Sequence, residues 1–543
     1  MSRFMAIGIG GTGARCVEAL LHVCAAGLGP DELSIGLIDQ DANNGNLKRT
    51  QTLATTIARL KTGLRQEGVH KLSPRSRLLR TTIKLINGDG TWHPLTGASK
   101  NVTDAFVLPD MPAVRPLFEA LYTKNEREMT LDKGYRAVPS LGAAIMGAKA
   151  LSSDPFWKAV SDELRQAAGG GGGARLFIFG SLFGGTGAAG FPTLSRVLRE
   201  HPSMQGVTGY LLGGALMLPY FQFGERKVED NELRGHASKF AERAEDALRY
   251  YNQLFENQKV FDDVYVIGWN PSIRLPYMDD GGLKQTNPAM IPELYAALAA
   301  NRFFLEDRET NTASRFFKIG AKQAGKIDWT DMPPASQGVV ENVGVARERA
   351  RAALAQLLRF SFAFRRVFRP ALSEENWKRY RREEWLNRLV GQAEVSLDDP
   401  VVQGILKDLD AFSESHLKWT SELAAAGVGG DDNAADTPLY SYRYYGKKVD
   451  QDPEGWKIVL HDEFDGNLAP IAEGRRLALL EEGHRAGFRD LLAGEARAGL
   501  ALSELMERLT YDRIDLGHEK LGRMIGELHS ACMSTQVSSA DEQ

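Results

Sequence analysis

The sequence is poor in cysteine, in metal-ligand pairs and in long apolar runs. Its 543 residues hold three cysteines, Cys16, Cys24 and Cys532. These form no CxxC pair and no His-paired ligand set, so no disulfide framework and no zinc motif is expected. Such usage fits a reducing compartment, and the chain is read as cytoplasmic. Cys16 and Cys24 fall at i and i+8 of one predicted helix, where they read as small buried apolar residues. The ten histidines make no HxxxH or HExxH, so no metal site is predicted. Neither a GxSxG elbow nor a Cys–His nucleophile pattern is present. No run of about 18 apolar residues occurs, and no basic segment followed by an apolar core opens the chain. A membrane span and a signal peptide are therefore not expected. An excess of one charge is missing too. The 66 Lys and Arg against 70 Asp and Glu give a net charge of −4, which supplies no bulk positive field for nucleic acid.

What is present is the profile of a globular chain, with 43% hydrophobic and 25% charged residues. The length implies two to four domains. Up to residue 305 the apolar pattern alternates between strands and helices. Strands are expected at 3–8, 34–39, 175–180, 207–218 and 263–269. Helices are expected at 12–26, 141–168, 231–255, 288–304 and, beyond, 343–368. That alternation predicts an α/β domain with a parallel sheet covered on both faces. Residues 50–130, with weak periodicity, read as a looped insertion. Residues 306–370 read as a connecting segment with a long helix. Residues 371–533 form a mostly α-helical C-terminal region divided by a Gly/Asp loop at 427–436, with a single strand at 456–461. The polar end, 534–543, is expected to be disordered.

Two glycine-rich turns carry the chemistry. The first, Gly8-Ile9-Gly10-Gly11-Thr12-Gly13, lies between a strand and a helix. Small residues let a backbone approach phosphate closely, and the helix start aims unpaired N–H groups at it. Taken alone it satisfies GxGxxG, with Asp39 closing the second strand where a dinucleotide-binding protein holds a ribose. The second turn, Gly184-Gly185-Thr186-Gly187, again follows a strand and opens a helix. One dinucleotide unit needs one such turn, whereas two on neighbouring parallel strands could grip one polyphosphate from both sides. Thr186 adds a hydroxyl donor. The Lys of a Walker A motif is absent.

In these features the chain resembles the tubulin/FtsZ superfamily over roughly residues 3–305. Phe183-Gly184-Gly185-Thr186-Gly187-Ala188-Ala189-Gly190 is similar to that family's GGGTG(S/T)G signature, with Phe183 and Ala189 in place of two of its glycines. Asp39-Gln40-Asp41-Ala42-Asn43 resembles its Asn-Thr-Asp-Ala-Gln turn. Leu218-Pro219-Tyr220-Phe221 resembles its Lys-Pro-Phe turn, and residues 134–139 stand where it has another phosphate loop. The nearest resemblance is to a divergent bacterial tubulin-like group. It implies a tubulin/FtsZ-like domain that binds GTP or GDP with Mg2+, held by Gly8, Gly10, Gly11, Thr12, Gly13, Asp39, Asp41, Asn43, Gly184, Gly185, Thr186, Gly187 and Pro219. Asn287 is the matching candidate for reading the guanine edge, with a plain helix N-cap as the other reading. Arg196 stands where the family has an acidic ribose contact.

The family completes its hydrolytic site with carboxylates from a neighbouring subunit. Asp328 and Asp331, in Lys326-Ile327-Asp328-Trp329-Thr330-Asp331, match that spacing with the family's Asn replaced. The resemblance thus implies a slow or assembly-dependent GTPase, with self-association or a protein partner on the helical C-terminal region. Two other readings stay open: a dinucleotide-binding oxidoreductase, and a nucleotide-stabilised scaffold without turnover. The basic cluster of Arg365, Arg366, Arg369, Lys378, Arg379, Arg381 and Arg382 reads as a solvated helix face, with an acidic partner surface as the functional alternative.

Overall fold

The computed structural model describes residues 2–65, 70–72, 76–95, 101–105, 115–135, 138–149, 154–169, 173–200, 209–223, 240–270, 272–275, 281–307, 313–320, 331–334, 343–369, 372, 395–426 and 520–531. The chain runs β1 (Arg3–Ile9), α1 (Gly10–Ala25), β2 (Glu32–Ile38), α2 (Gly45–Arg65), β3 (Thr82–Leu85) and β4 (Thr91–Trp92). Short helices α3 (Val102–Ala105), α4 (Arg115–Leu121) and α5 (Lys124–Glu128) lead to α6 (Pro139–Lys149) and α7 (Pro155–Gly169). Then come β5 (Ala174–Ser181), α8 (Thr186–Glu200), β6 (Tyr210–Met217), β7 (Phe221–Phe223), α9 (Phe240–Asn257), β8 (Asp263–Ile267) and β9 (Ile273–Leu275). The last elements are α10 (Ile291–Leu305), β10 (Arg315–Ile319), α11 (Val343–Ala363) with a π-helical turn at Phe364–Phe368, α12 (Pro400–Ala426) and α13 (Lys520–Ala531).

Eight strands form one sheet in the order β10-β8-β6-β5-β1-β2-β3, with β4 also beside β2. Every pairing in it is parallel. Parallel strands need both faces covered, which is why β1, β5 and β6 are apolar nearly throughout. Successive residues feed opposite layers. Ala6, Phe177, Phe179 and Ala215 face a core built with α1, α2 and α10. Met5, Ile7, Leu176, Ile178 and Leu216 face a second core built with α6, α7 and α8. The architecture is therefore a doubly covered α/β sheet. β7 and β9 make a separate two-stranded ribbon, also parallel.

Several boundaries differ from the sequence expectation. The helix expected over 141–168 is two helices. Pro155 has no N–H to continue a helix, and Asp154 accepts the Phe156 amide at 2.9 Å to start α7 afresh. The stretch 50–130 supplies most of α2 and the strands β3 and β4 at one end of the sheet. In the connecting segment, Arg315–Ile319 is the opposite edge strand. The described C-terminal elements are helical, as expected. Leu406, Leu409 and Phe412 of α12 and Met524 and Ile525 of α13 enter the same core as α1 and α2. The expected strand at 456–461, the loop at 427–436, Cys532 and the tail at 534–543 lie outside the described residues. Cys16 and Cys24 are buried free thiols. Among the described residues, no helix is long and apolar enough to cross a membrane.

Candidate functional site

The chain leaves β1 in one direction along the sheet through β2 to β3. From β5 it proceeds in the other, through β6 and β8 to β10. β1 and β5 are hydrogen-bonded neighbours, so the order reverses between them. Crevices outside the carboxyl ends of strands at such a switch point are where α/β sheets hold ligands. Both glycine turns stand there. β1 passes directly into α1 on one face of the sheet, and β5 passes through Gly184 and Gly185 into α8 on the other.

The glycines divide into two kinds. A Cβ on Gly8 would lie 2.6 Å from the Gly13 carbonyl oxygen, and one on Gly13 would lie 2.8 Å from that of Phe179. Gly8 and Gly13 thus let β1, α1 and β5 pack at backbone distance. Gly10 is the turn itself, with φ of +72°, a conformation that favours glycine. Its Cβ position is 3.1 Å from the Gly187 amide nitrogen and 3.3 Å from Thr186 Cβ, so the two turns touch. Gly184 has φ of +84° and open space where a Cβ would be. Gly187 packs against Ser181, whose hydroxyl donates to the Phe183 carbonyl at 2.7 Å. The first turns of α1 and α8 hold no acidic residue. Two positive helix ends therefore converge where an anion would be favoured. The helix α1 starts at Gly10 rather than at Thr12, so Gly10 to Gly13 form its first turn.

A third turn closes on the same point. Gly134 has φ of +76°, and its Cβ position is 3.8 Å from both Asp39 Oδ1 and Thr186 Oγ1. Thr186 donates its hydroxyl to Asp39 Oδ1 at 3.1 Å. Asp39 Oδ2 accepts from the side-chain Nδ2 of Asn44 at 3.2 Å. Burial pushes the Asp39 carboxyl up to about 7. Asp41 accepts the amide of Asn43 at 2.9 Å and that of Gly282 at 2.6 Å, so it ties the β2–α2 turn to the segment before α10. Asn43 itself is exposed.

Asn44 and Asn46, which the sequence reading passed over, organise this turn. Asn44 Oδ1 caps α2 by accepting the Asn46 and Leu47 amides, while its Nδ2 reaches Gln285 Oε1 at 2.8 Å. Asn46 Nδ2 is 3.1 Å from the Cβ position of Gly11. Its Oδ1 accepts the Asn287 amide at 2.9 Å. The available signal was Asn44-Gly45-Asn46 ahead of the apolar spacing Leu53, Ile57, Leu60 and Leu64, a helix start. Asn287 is thus beside the first glycine turn through Asn46. It is not the helix N-cap: α10 starts at Ile291, with Met290 in the cap position and Glu293 accepting the Met290 amide at 2.9 Å.

Pro219 lies in the turn after β6 and introduces Tyr220. Behind the glycine turn, Arg15 Nε donates to Glu293 Oε1 at 2.6 Å and Arg15 Nη2 to the Tyr220 hydroxyl at 2.9 Å. Tyr220 in turn donates to Glu293 Oε1 at 2.6 Å. All three are essentially fully buried. The ion pair holds the Arg15 guanidinium charged, and burial pushes the Tyr220 phenol up.

Other expected residues fall elsewhere. Asp328 lies outside the described residues. Asp331 precedes Met332, which is buried in the core and whose carbonyl accepts from Arg347 at 2.7 Å. Arg196 is on α8 and pairs with Glu200 at 3.3 Å. It lines a cavity of about 300 Å3 with Pro192, Thr193, Val197, Glu200 and Tyr250, away from the glycine turns. Of the basic cluster, Arg365 pairs with Asp410 and Glu414 of α12 rather than facing solvent. Arg369 Nη1 donates to Gln403 Oε1 at 3.4 Å. Lys378, Arg379, Arg381 and Arg382 lie outside the described residues.

No family model matches the chain, and no curated protein matches it. Among solved structures it overlaps a GTPγS-form protofilament of TubZ from Bacillus thuringiensis serovar israelensis. The identity is 11%, with 49% of this chain and 47% of that one covered and a TM-score of 0.22. It also overlaps a helical model of the two-stranded TubZ-Bt filament at 11% identity, covering 58% of this chain and 60% of that one, with a TM-score of 0.24. The match thus spans about half to three fifths of those chains. At these values the overlap has no bearing on the chemistry of the site.

Proposed function

We propose that this chain is a tubulin-like protein that binds a guanine nucleotide, GTP or GDP, at the junction of its two glycine turns. The observation that carries the reading is the contact of Gly10 with Gly187 and Thr186 at the switch point. Two helix starts without acidic residues and two positive-φ glycines suit a polyphosphate gripped from both sides. The choice of guanine rests on the resemblance of the turns to the tubulin/FtsZ pattern, with Asn287 as base reader beside Asn46.

Mg2+ fits the same place. It takes one or two carboxylates and completes its shell with phosphate and water, and Asp39 and Asp41 border the turns. Among the described residues no set of three or more metal-type side chains gathers, so phosphate would have to supply the remaining ligands. When bound, the ion would neutralise phosphate charge next to Asp39.

The strand order is also that of dinucleotide-binding sheets, so order alone does not exclude an oxidoreductase. The second glycine turn weighs against it: one dinucleotide unit needs a single such turn, and here two meet at Gly10, Thr186 and Gly187.

The test is to denature the purified protein, identify any released nucleotide by chromatography, and titrate the emptied protein with GTP, ATP and NADH. Guanine nucleotide in the eluate and preferential GTP binding are expected. Preferential NADH binding would overturn the reading. For the base, Asn287→Ala should weaken GTP far more than ATP. Equal loss removes Asn287 from base recognition.

A further inference from the structure

The segment 281–290, between the ribbon strand β9 and α10, is a strap pinned from two sides. In front, the β2–α2 turn holds it. Gly282 N–H donates to Asp41 at 2.6 Å, the Gln285 carbonyl accepts from the Asn46 amide at 3.1 Å, and Asn287 N–H donates to Asn46 Oδ1 at 2.9 Å. Behind, the anchor comes from α12. Glu422 Oε2 accepts the Ala289 amide at 2.8 Å. The same carboxylate pairs with Arg49 of α2 at 3.2 Å, and Arg49 pairs with Glu18 of α1 at 2.7 Å. Arg49 and Glu422 are mostly buried, and Glu18 almost wholly. A buried carboxylate on a C-terminal helix thus touches the strap that edges the first glycine turn, and one salt-bridge chain joins it to both helices flanking that turn.

We propose that Glu422 is a positioning residue for the candidate site: it fixes the strap against the β2–α2 turn, so that ligand affinity depends on how α12 is docked. This rests on the nucleotide-binding reading above. A hydrogen bond from a backbone amide to a buried carboxylate is among the stronger kinds, so losing it frees the strap beside Asn46 and Gln285 without touching the glycine turns themselves. The coupling is reciprocal: ligand that orders the strap tightens the seat of α12.

The test uses the full chain and two variants. Glu422→Gln keeps an acceptor for the Ala289 amide but loses the charge opposite Arg49. Glu422→Ala loses both. Thermal unfolding should fall in both variants. GTP affinity should fall roughly tenfold in Glu422→Ala and stay near wild type in Glu422→Gln. In the ligand-free protein, amide exchange over 281–290 should speed up in Glu422→Ala alone. A merely structural Glu422 would lower the unfolding temperature in both variants with affinity and strap exchange unchanged, and that result overturns the proposal. If wild type binds no nucleotide, the nucleotide reading fails. The ligand-free exchange then decides this proposal by itself, equal exchange in wild type and Glu422→Ala sinking it.

Discussion

Thr186, the first residue of α8, gives its hydroxyl to Asp39, the first residue past β2, at 3.1 Å. The bond joins the end of β2 to the start of α8. Asp39 is 3% exposed, and burial lifts its carboxyl to about 7. A folded-state value above the unfolded 3.8 means that the native form holds this proton more tightly. The group's contribution to stability is full below about pH 4 and is lost as pH rises through 7. Asp39→Asn should therefore match wild type near pH 4 and exceed it by a few kcal/mol at pH 8 in urea unfolding. If Asp39 meets Mg2+, the same variant should lose the Mg2+ dependence of nucleotide binding. A stability difference flat with pH would show that Asp39 does not titrate in this range.

The two kinds of glycine should separate by experiment. Gly8→Ala and Gly13→Ala place a methyl against backbone at under 3 Å, and each should destabilise by roughly 1–3 kcal/mol or more. Gly184→Val meets no protein atom and bears only the strain of its positive φ, about 1–2 kcal/mol. It should remain folded by circular dichroism and lose nucleotide binding. A folded Gly184→Val with wild-type affinity would remove the second turn from the site.

The Arg15–Glu293–Tyr220 cluster is buried, so removing one charge strands the other. Arg15→Met or Glu293→Leu alone should cost about 3–5 kcal/mol. The double variant should cost much less than their sum, which denaturant titration of all four proteins would measure. Additive losses would mean that the pair is not coupled.

Turnover, if present, should belong to an assembly. Asp328→Ala and Asp331→Ala should slow GTP hydrolysis while leaving affinity intact, and the wild-type rate per molecule should rise with protein concentration. A rate flat with concentration, or unchanged in both variants, takes these carboxylates out of the reaction. No hydrolysis at any concentration supports the scaffold reading.

Much of the fold was legible because it is written locally. β1 and β5 are apolar runs with a glycine next to last, and α8 and α9 show apolar residues at helical spacing. β10 was not visible, because Arg-Phe-Phe-Lys-Ile at a half-exposed edge mixes charge and aromatics without a clean period. α2 hid behind its five threonines, which prefer strands, although its leucines keep the helical step. The glycine turns of the site could be read, since a turn needs particular residues at particular places. Their supports could not. Arg15 and Glu293 are separated by 278 residues, and Asn44 and Gln285 by 241. Such pairs exist only once the sheet has brought distant segments together.

That separation bears on how the site comes into being during synthesis. Asp39 and Thr186 are 147 residues apart, and β5 must dock beside β1 before the second turn faces the first. A nascent chain that has emerged only as far as α7 holds β1, α1 and β2 but only half of the candidate site. Closing so long a loop is entropically costly. A ligand bound across both turns would act as a clasp on that closure, slowing unfolding more than it speeds folding.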